Sequence, residues 1–384
     1  MNILFFASDN NKTSGAFISL TRLCALLKKQ YRYNVYVVLP KEGEGQELLS
    51  ANDIPFYIVR SFNWTEKVGV KHNLKYWVTR KAKTVLNKIA LLRSRRLIQM
   101  LAIDIVHINT TWTYIGAQAA LQSCKPYVWH IREFLEEDQN VTMWNNEYGY
   151  DLMARANRLV AISDSIYNKY TRLISSKNLV RIYNGIDETR FYDCDHQILQ
   201  AEQVRLVIVG SVSEKKGQQE LVEACKILKE YFGRSCFHLD IVGIGQELYI
   251  NELKRLVYHY GLVKFITFWG YQSQTEEYYK NGDIIFVCSK AEAFGRVTVE
   301  AMLGGSLVVG ANTAATLELI SDMKTGILYE SGNARDLAEK MNWILDNRAQ
   351  AQKIANQGRE YMYVNMTANI NAKAINDLYI RLCD

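Results

Sequence analysis

The sequence predicts an α/β protein of two doubly wound, parallel-sheet domains facing a central cleft. Three observations predict it. At 384 residues the chain exceeds one typical domain and fits two of roughly 150 to 200 residues. Short continuous apolar segments alternate with amphipathic ones, the pattern of strands buried on both faces beneath helices. The alternation breaks once, in the polar and turn-rich "RIYNGIDETRFYDCDHQILQ" of 181–200, and then restarts. The first domain is therefore expected over 1–195 and the second over 196–364. The last helix, about 365–384, is expected to pack back onto the first domain.

Taken in order, "NILFFAS", "NVYVVLP", "PFYIV", "IDIVHIN", "PYVWHI" and "RLVAIS" are apolar runs of strand length. Helical periodicity separates them over about 15–30, 44–51, a basic region, 114–123 and 145–156. In the second series the strands are "VRLVIVGSV", "FHLDIVGIG", "ITFWGY", "IIFVCS", "LVVGAN" and "GILYE". Helices are expected between them at about 217–231, 247–260, 274–280 and 297–304, and helices fill 334–384. The opening "MNILFFASDN" turns polar after a few residues, with no basic leader or small-residue cleavage site, and is read as a strand rather than a signal peptide. No stretch approaches the about 18 apolar residues of a membrane span. The expected location is cytoplasmic, with peripheral attachment at the inner face of the plasma membrane as an option.

Apolar residues at 48% and charged residues at 22% exclude a disordered chain. The seven cysteines stand singly, without a CxxC pair or a neighbouring histidine at ligand spacing, so buried free thiols are expected and a metal site is not. The net charge of +6 is concentrated, because 67–96 holds ten Lys or Arg and no Asp or Glu. There Leu74, Val78, Ala82, Val85, Ile89 and Leu92 recur at steps of three and four, while Arg80, Lys83, Lys88 and Arg95 lie on another face. Two readings stand: a helix packed on the core with a solvated basic side, or an amphipathic surface for an anionic membrane. Nucleic acid is the weaker third reading and is not expected as a partner.

Three strand-to-helix loops have the composition of anion sites. In "SDNNKTSGAFISL", Ser14 and Gly15 precede a helix whose unpaired N–H groups attract an anion, although a plain N-cap has the same appearance. In "VGSVSEKKGQQELVEA", Gly210 ends a strand, Lys216 reaches toward a phosphate and Gly217 opens a helix; the P-loop spacing is absent. In "SKAEAFGRVTVEAML", Glu292 falls in the loop beyond a strand, beside Phe294 and Gly295. Glu300 falls one turn into the helix, where a carboxylate can accept two hydroxyl hydrogen bonds from a sugar or ribose. By spacing alone, such glutamates are solvated surface charges.

These segments, with "VHINTTWTYIGAQAAL", "LVAISDS", "VRIYNGIDETRF", "DIVGIGQE" and "GSLVVGANTAATLELISDMKTGILYESGN", resemble the retaining "glycosyl transferases group 1" class, family 4, of the GT-B fold, across almost the whole chain. Glu292 and Glu300 match that family's E-x7-E signature. The resemblance implies transfer of a sugar from a nucleoside diphosphate sugar, UDP first, to a hydroxyl acceptor without a built-in cofactor or divalent metal. It suggests a lipid-linked saccharide acceptor in surface polysaccharide assembly of the capsule or O-antigen type. It implies that Glu292 lies at the transferred sugar, Glu300 on the ribose and Lys216 on the diphosphate. Phe294 and Gly295 would hold phosphate and sugar oxygens through backbone, Tyr271 would line the base pocket, the Gly15 loop would approach the diphosphate, and His130 would touch the donor sugar. Ser211 stands where the family often has Arg, so Lys215 or Arg296 would replace that cation. "TAAT" replaces a glycine-rich turn, which puts the backbone of Ala314 and Ala315 in question as a phosphate contact. The alternative is a nucleotide-sugar-dependent binding or regulatory protein without catalysis.

Overall fold

The computed structural model describes residues 1–175 and 177–383. The chain divides into two compact units: Met1–Gly185 together with the last helix, Ala368–Cys383, and Ile186–Thr367.

The first unit contains β1 (Asn2–Phe6), β2 (Asn34–Leu39), β3 (Phe56–Ile58), β4 (Thr65–Lys67), β5 (Ile105–Ile108), β6 (Tyr127–Ile131), β7 (Val141–Met143), β8 (Arg158–Ala161) and β9 (Leu179–Arg181). Seven of these form one parallel sheet in the order β3-β2-β1-β5-β6-β8-β9. Its strands are apolar on both faces because helices cover both. Helix Gly15–Tyr31 packs Phe17, Leu20, Leu23 and Leu27 onto one face, and the last helix adds Ala372, Ile375 and Tyr379 to the same core. The antiparallel pair β4 and β7 is too short for periodicity to reveal it in sequence.

The second unit contains β10 (Val204–Val209), β11 (Phe237–Val242), β12 (Ile266–Gly270), β13 (Ile284–Val287), β14 (Leu307–Ala311) and β15 (Ile327–Tyr329). They form a parallel sheet in the order β12-β11-β10-β13-β14-β15. This is the doubly wound order, and its chain reversal lies between β10 and β13. The loops leaving the carboxyl ends of those two strands lie at the place where doubly wound folds bind their ligands.

The second unit begins earlier than the sequence boundary at 195/196. Residues 186–200 are not a free linker, since they bond along their length to that unit. Ile186 N–H donates to Met366 O at 2.9 Å, Asp193 N–H to Leu303 O at 3.0 Å, and Ile198 N–H to Gln352 Oε1 at 2.8 Å.

Two further expectations change. Cys24, Cys225 and Cys288 are buried, but Cys124, Cys194, Cys236 and Cys383 are exposed, in turns or at element ends where no core surrounds them. The basic region forms helix Leu74–Met100, yet its apolar stripe does not face the core. The helix is buried through Asn87, Ala90, Ser94 and Ile98, and it packs against helix Ile115–Gln122. Asn87 fixes that orientation by accepting from Phe62 N–H at 2.8 Å and donating to Phe62 O at 2.9 Å. Leu74, Val78, Val85, Ile89 and Leu92 are left 46–81% exposed. The reading of a core-packed stripe is therefore overturned.

Candidate active site

Two loops meet at the carboxyl ends of β10 and β13. The first leaves β10 through Gly210 and Ser211, makes a tight turn over Glu214–Lys216, and enters helix Gln218–Glu230 at Gly217. Gly217 has φ +70°, and a Cβ there would lie 2.3 Å from Cys288 O, so a side chain at 217 would drive the loop off the end of β13. Gln218 is buried and holds the turn from inside: its Nε2 donates to Ser211 O at 2.9 Å and its Oε1 accepts from Ser213 N–H at 3.2 Å. The sequence reading missed Gln218. The only available signal was a polar residue at a position where helix Gln218–Glu230 starts its buried face.

The second loop leaves β13 and reaches helix Arg296–Leu303 at Gly295, which is also left-handed at φ +85°. Lys290 N–H donates to Lys215 O at 3.0 Å and ties the two loops together. Lys216 Nζ then meets Glu292 Oε1 at 2.5 Å, with the side chains 28% and 19% exposed. One turn into the helix, buried Glu300 accepts from Arg296 Nη2 at 2.8 Å and from the Tyr279 hydroxyl at 3.2 Å. Burial, reinforced by the adjacent carboxylate, holds the Tyr279 phenol well above its ordinary pKa and so keeps it a donor. Phe294 is buried.

The third loop follows β14. Thr313 Oγ1 donates to Ser289 O at 3.0 Å, and Ala315 N–H donates to Glu292 O at 3.3 Å. Ala314 adopts φ +40°, a conformation that glycine takes more readily. The Ala315 N–H is thus engaged in shaping the Glu292 loop.

The structure therefore brings together Lys215, Lys216, Glu292, Phe294, Gly295, Arg296 and Glu300, with Ser211 in the same β10 loop. Tyr271 follows β12, two strands from β10 in the sheet order, and is 54% exposed. Among the described residues no group of His, Cys, Asp or Glu has the geometry to hold a metal ion.

In the first unit, Gly15 opens its helix, but Ser14 does not cap it. The Ser14 hydroxyl donates instead to Asp9 Oδ2 at 3.1 Å, and burial raises the pKa of that carboxyl. The Gly15 loop thus contains a carboxylate that the sequence reading did not weigh. His130, the next-to-last residue of β6, is fully buried. Its Nδ1 lies 2.9 Å from His107 Nε2 and 3.3 Å from Arg132 Nη2, and its own Nε2 has no protein partner. After Arg132 in the chain, Glu133 is buried and accepts from Thr111 N–H at 2.6 Å and from the Thr111 hydroxyl. Burial pushes the Glu133 carboxyl up to about 7.

The two halves of the chain match two family models: Glycosyltransferase Family 4 over 13–190 and Glycosyl transferases group 1 over 195–361. The chain belongs to the family 4, group 1 glycosyltransferases. Its fold is GT-B. The whole fold superposes on Anabaena HepE in complex with UDP and glucose with a TM-score of 0.80, at 21% identity over 99% of each chain. Among curated relatives, N-acetyl-alpha-D-glucosaminyl L-malate synthase of Bacillus anthracis is 26% identical over 53% of this chain and 54% of its own length. The capsular polysaccharide biosynthesis glycosyltransferase CapM of Staphylococcus aureus is 23% identical over 58% of this chain and 61% of its own. The chain thus spans little more than half the length of these relatives. At the position of Ser211 this family member has no cation, and Arg296 is already engaged with Glu300.

Proposed function

We propose that this chain is a retaining glycosyltransferase that moves a sugar from a nucleoside diphosphate sugar, UDP-linked first, to a hydroxyl acceptor. One observation carries the reading. At the switch point of a doubly wound sheet, where nucleotides bind in such folds, an ammonium and two carboxylates converge on backbone-lined loops. Lys216 supplies positive charge to the diphosphate. Glu300, held by Arg296 and Tyr279, takes ribose hydroxyls, and Glu292 takes hydroxyls of the transferred sugar. The glycine-flanked backbone of Phe294 and Gly295 approaches phosphate and sugar oxygens, Tyr271 lines the base, and Gly15 approaches the diphosphate. In the first unit, His130 offers its unpaired ring nitrogen to the donor sugar.

Lys216 and Glu292 hold each other at 2.5 Å. A diphosphate that draws the ammonium away frees Glu292 to accept from the sugar. As the anomeric carbon–oxygen bond breaks, charge develops on the leaving phosphate. Lys216 and loop N–H groups stabilise it without requiring a divalent ion. The acceptor oxygen bonds to the same face of the anomeric carbon, and its proton passes to the departing phosphate oxygen. Glu292 orients the sugar and is not a nucleophile.

Of the named relatives, CapM is a capsular polysaccharide biosynthesis glycosyltransferase and HepE is in complex with UDP and glucose, which supports a saccharide acceptor of surface polysaccharide assembly, carried on a lipid. The basic helix Leu74–Met100, with its exposed apolar stripe, supports peripheral attachment to an anionic membrane. No helix of the described residues is long and apolar enough to cross a membrane.

The test is acceptor-dependent release of UDP with a lipid extract as acceptor. The wild type turns over, and Glu292→Ala and Glu300→Ala lose at least about a hundredfold, a loss within the range of single interactions in active sites, while circular dichroism stays unchanged. Full activity in both variants overturns the site assignment. Binding of nucleotide sugar without transfer favours a non-catalytic binding protein.

A further inference from the structure

A polar ladder crosses the sheet of the second unit from β10 through β11 to β12. Asp240 stands inside β11, buried, and is the one carboxylate in that strand. Its Oδ2 accepts from Arg205 Nε of β10 at 2.8 Å, and its Oδ1 accepts from the Trp269 indole N–H of β12 at 2.7 Å. His238, two residues earlier on β11, is bonded to Thr267 Oγ1 instead, at 2.9 Å, and its Nε2 stays 3.8 Å from Asp240 Oδ1. Burying a carboxylate costs hydration, and a well-packed apolar residue holds a sheet as well as a buried ion pair does. Stability therefore does not account for a carboxylate at 240.

The strand that Asp240 holds is irregular at the residue it holds. Ile241 pairs with Phe268 and Val242 with Gly270, so Trp269 is an extra residue, a bulge in a parallel pair. Gly270 follows in the left-handed region at φ +68°. The extra residue of a bulge has no ladder partner of its own, and here its side chain supplies the anchor, on Asp240. Gly270 O then accepts from Gly243 N–H at 2.8 Å, as Ile244 O accepts from Val212 N–H at 2.8 Å and Val242 O from Gly210 N–H at 2.9 Å. The end of β12 is thus tied, through the loop after β11, to the β10 loop that carries Ser211 and Lys216. Tyr271 is the first residue beyond this bonding. Among the described residues no hydrogen bond occupies its backbone N–H or C=O, which leaves one donor and one acceptor open on an exposed residue.

We propose that Asp240 is a positioning residue for the nucleotide base: it holds the bulged Trp269 by its indole and so fixes where the open backbone groups of Tyr271 meet the hydrogen-bonding edge of the base. The proposal rests on the assignment of Tyr271 to the base. It adds two residues, Asp240 and Trp269, that set the choice of base without touching it. A backbone donor and acceptor discriminate between bases only when they are held in place, because a wrong base is rejected by the polar groups it leaves unpaired.

The experiment is isothermal titration calorimetry of the full chain with UDP, CDP, GDP and ADP, in which the wild type should prefer one nucleotide over the others. Trp269→Phe keeps the ring and removes only the indole N–H, at a half-exposed position whose replacement leaves the core intact. In that variant and in Asp240→Ala, the Kd of the preferred nucleotide should rise about three- to tenfold, as for the loss of one hydrogen bond, while the others change less, so the preference narrows. Asp240→Asn keeps an oxygen for the indole, and the partly exposed Arg205 can turn to water, so the preference should survive. An unchanged preference in folded Trp269→Phe overturns the proposal, as does a rise in Kd that is equal for all four nucleotides. Asp240→Asn that loses the preference as Asp240→Ala does also overturns it. A wild type that binds all four alike overturns it and leaves the nucleotide site standing. A wild type that binds none removes the proposed function, and this inference with it.

Discussion

Glu133 shows how burial alone can create a titration near neutrality. It sits in the core beside Arg132, and loss of hydration outweighs its two bonds from Thr111, so its carboxyl titrates near 7. The folded chain therefore binds a proton that the unfolded chain has released between its ordinary value of 4.5 and about 7. The sign follows: stability from this group is greatest on the acid side of that window and falls as pH rises through it, by up to about 1.4 kcal/mol per pH unit for one proton. Glu133→Gln should flatten the dependence of urea-unfolding free energy on pH between 5 and 7.5. An unchanged slope in the variant contradicts the assignment. Residues of this kind were poorly legible in the sequence. Glu292 and Glu300 stood out because a strand, a glycine turn and a helix frame them in a continuous stretch. Glu133, Gln218, Arg132 and His107 gave no such signal, because their importance comes from neighbours distant in the chain. His107 shares a hydrogen bond with Tyr379 across 272 positions.

Among elements, the alternation of strand and helix was readable nearly throughout, because each parallel strand is a short run buried on both faces. Helix Leu74–Met100 was readable as a helix but not in its orientation. Its apolar stripe fits a core face by periodicity, yet Asn87 turns the other side inward by clamping the Phe62 backbone, and Arg80 follows by donating to Trp144 O at 3.1 Å. Periodicity finds a face; it does not say what covers it. Because the stripe is exposed, Val78→Asp with Ile89→Asp should change unfolding free energy by no more than about 0.5 kcal/mol per site. Flotation with anionic liposomes at low salt should show the wild type bound and the double variant free. No binding by the wild type removes the membrane surface from the account. Equal binding by both proteins removes the stripe from it.

Across the whole molecule, the chain leaves the first unit at Gly185 and returns for its last helix. Ile186 N–H donates to Met366 O at 2.9 Å, and Ile186 also forms a bridge with Thr367, so the points where the chain enters and leaves the second unit lie together. That path explains why residues 181–200 looked like a linker: turn residues are needed to make the passage, while their backbone groups bond to the second unit. On the proposed function, the loops after β10 and β13 bind a nucleoside diphosphate. The most direct measurement is thermal unfolding of the full chain with UDP, GDP, dTDP or ADP, in the wild type and in Glu300→Ala. A ligand at a hundredfold excess over its Kd stabilises the native state by about 2.7 kcal/mol. The account predicts a rise of several degrees with one nucleotide, UDP first, which is largely lost in Glu300→Ala. No shift with any of the four, or an equal shift in the variant, contradicts it.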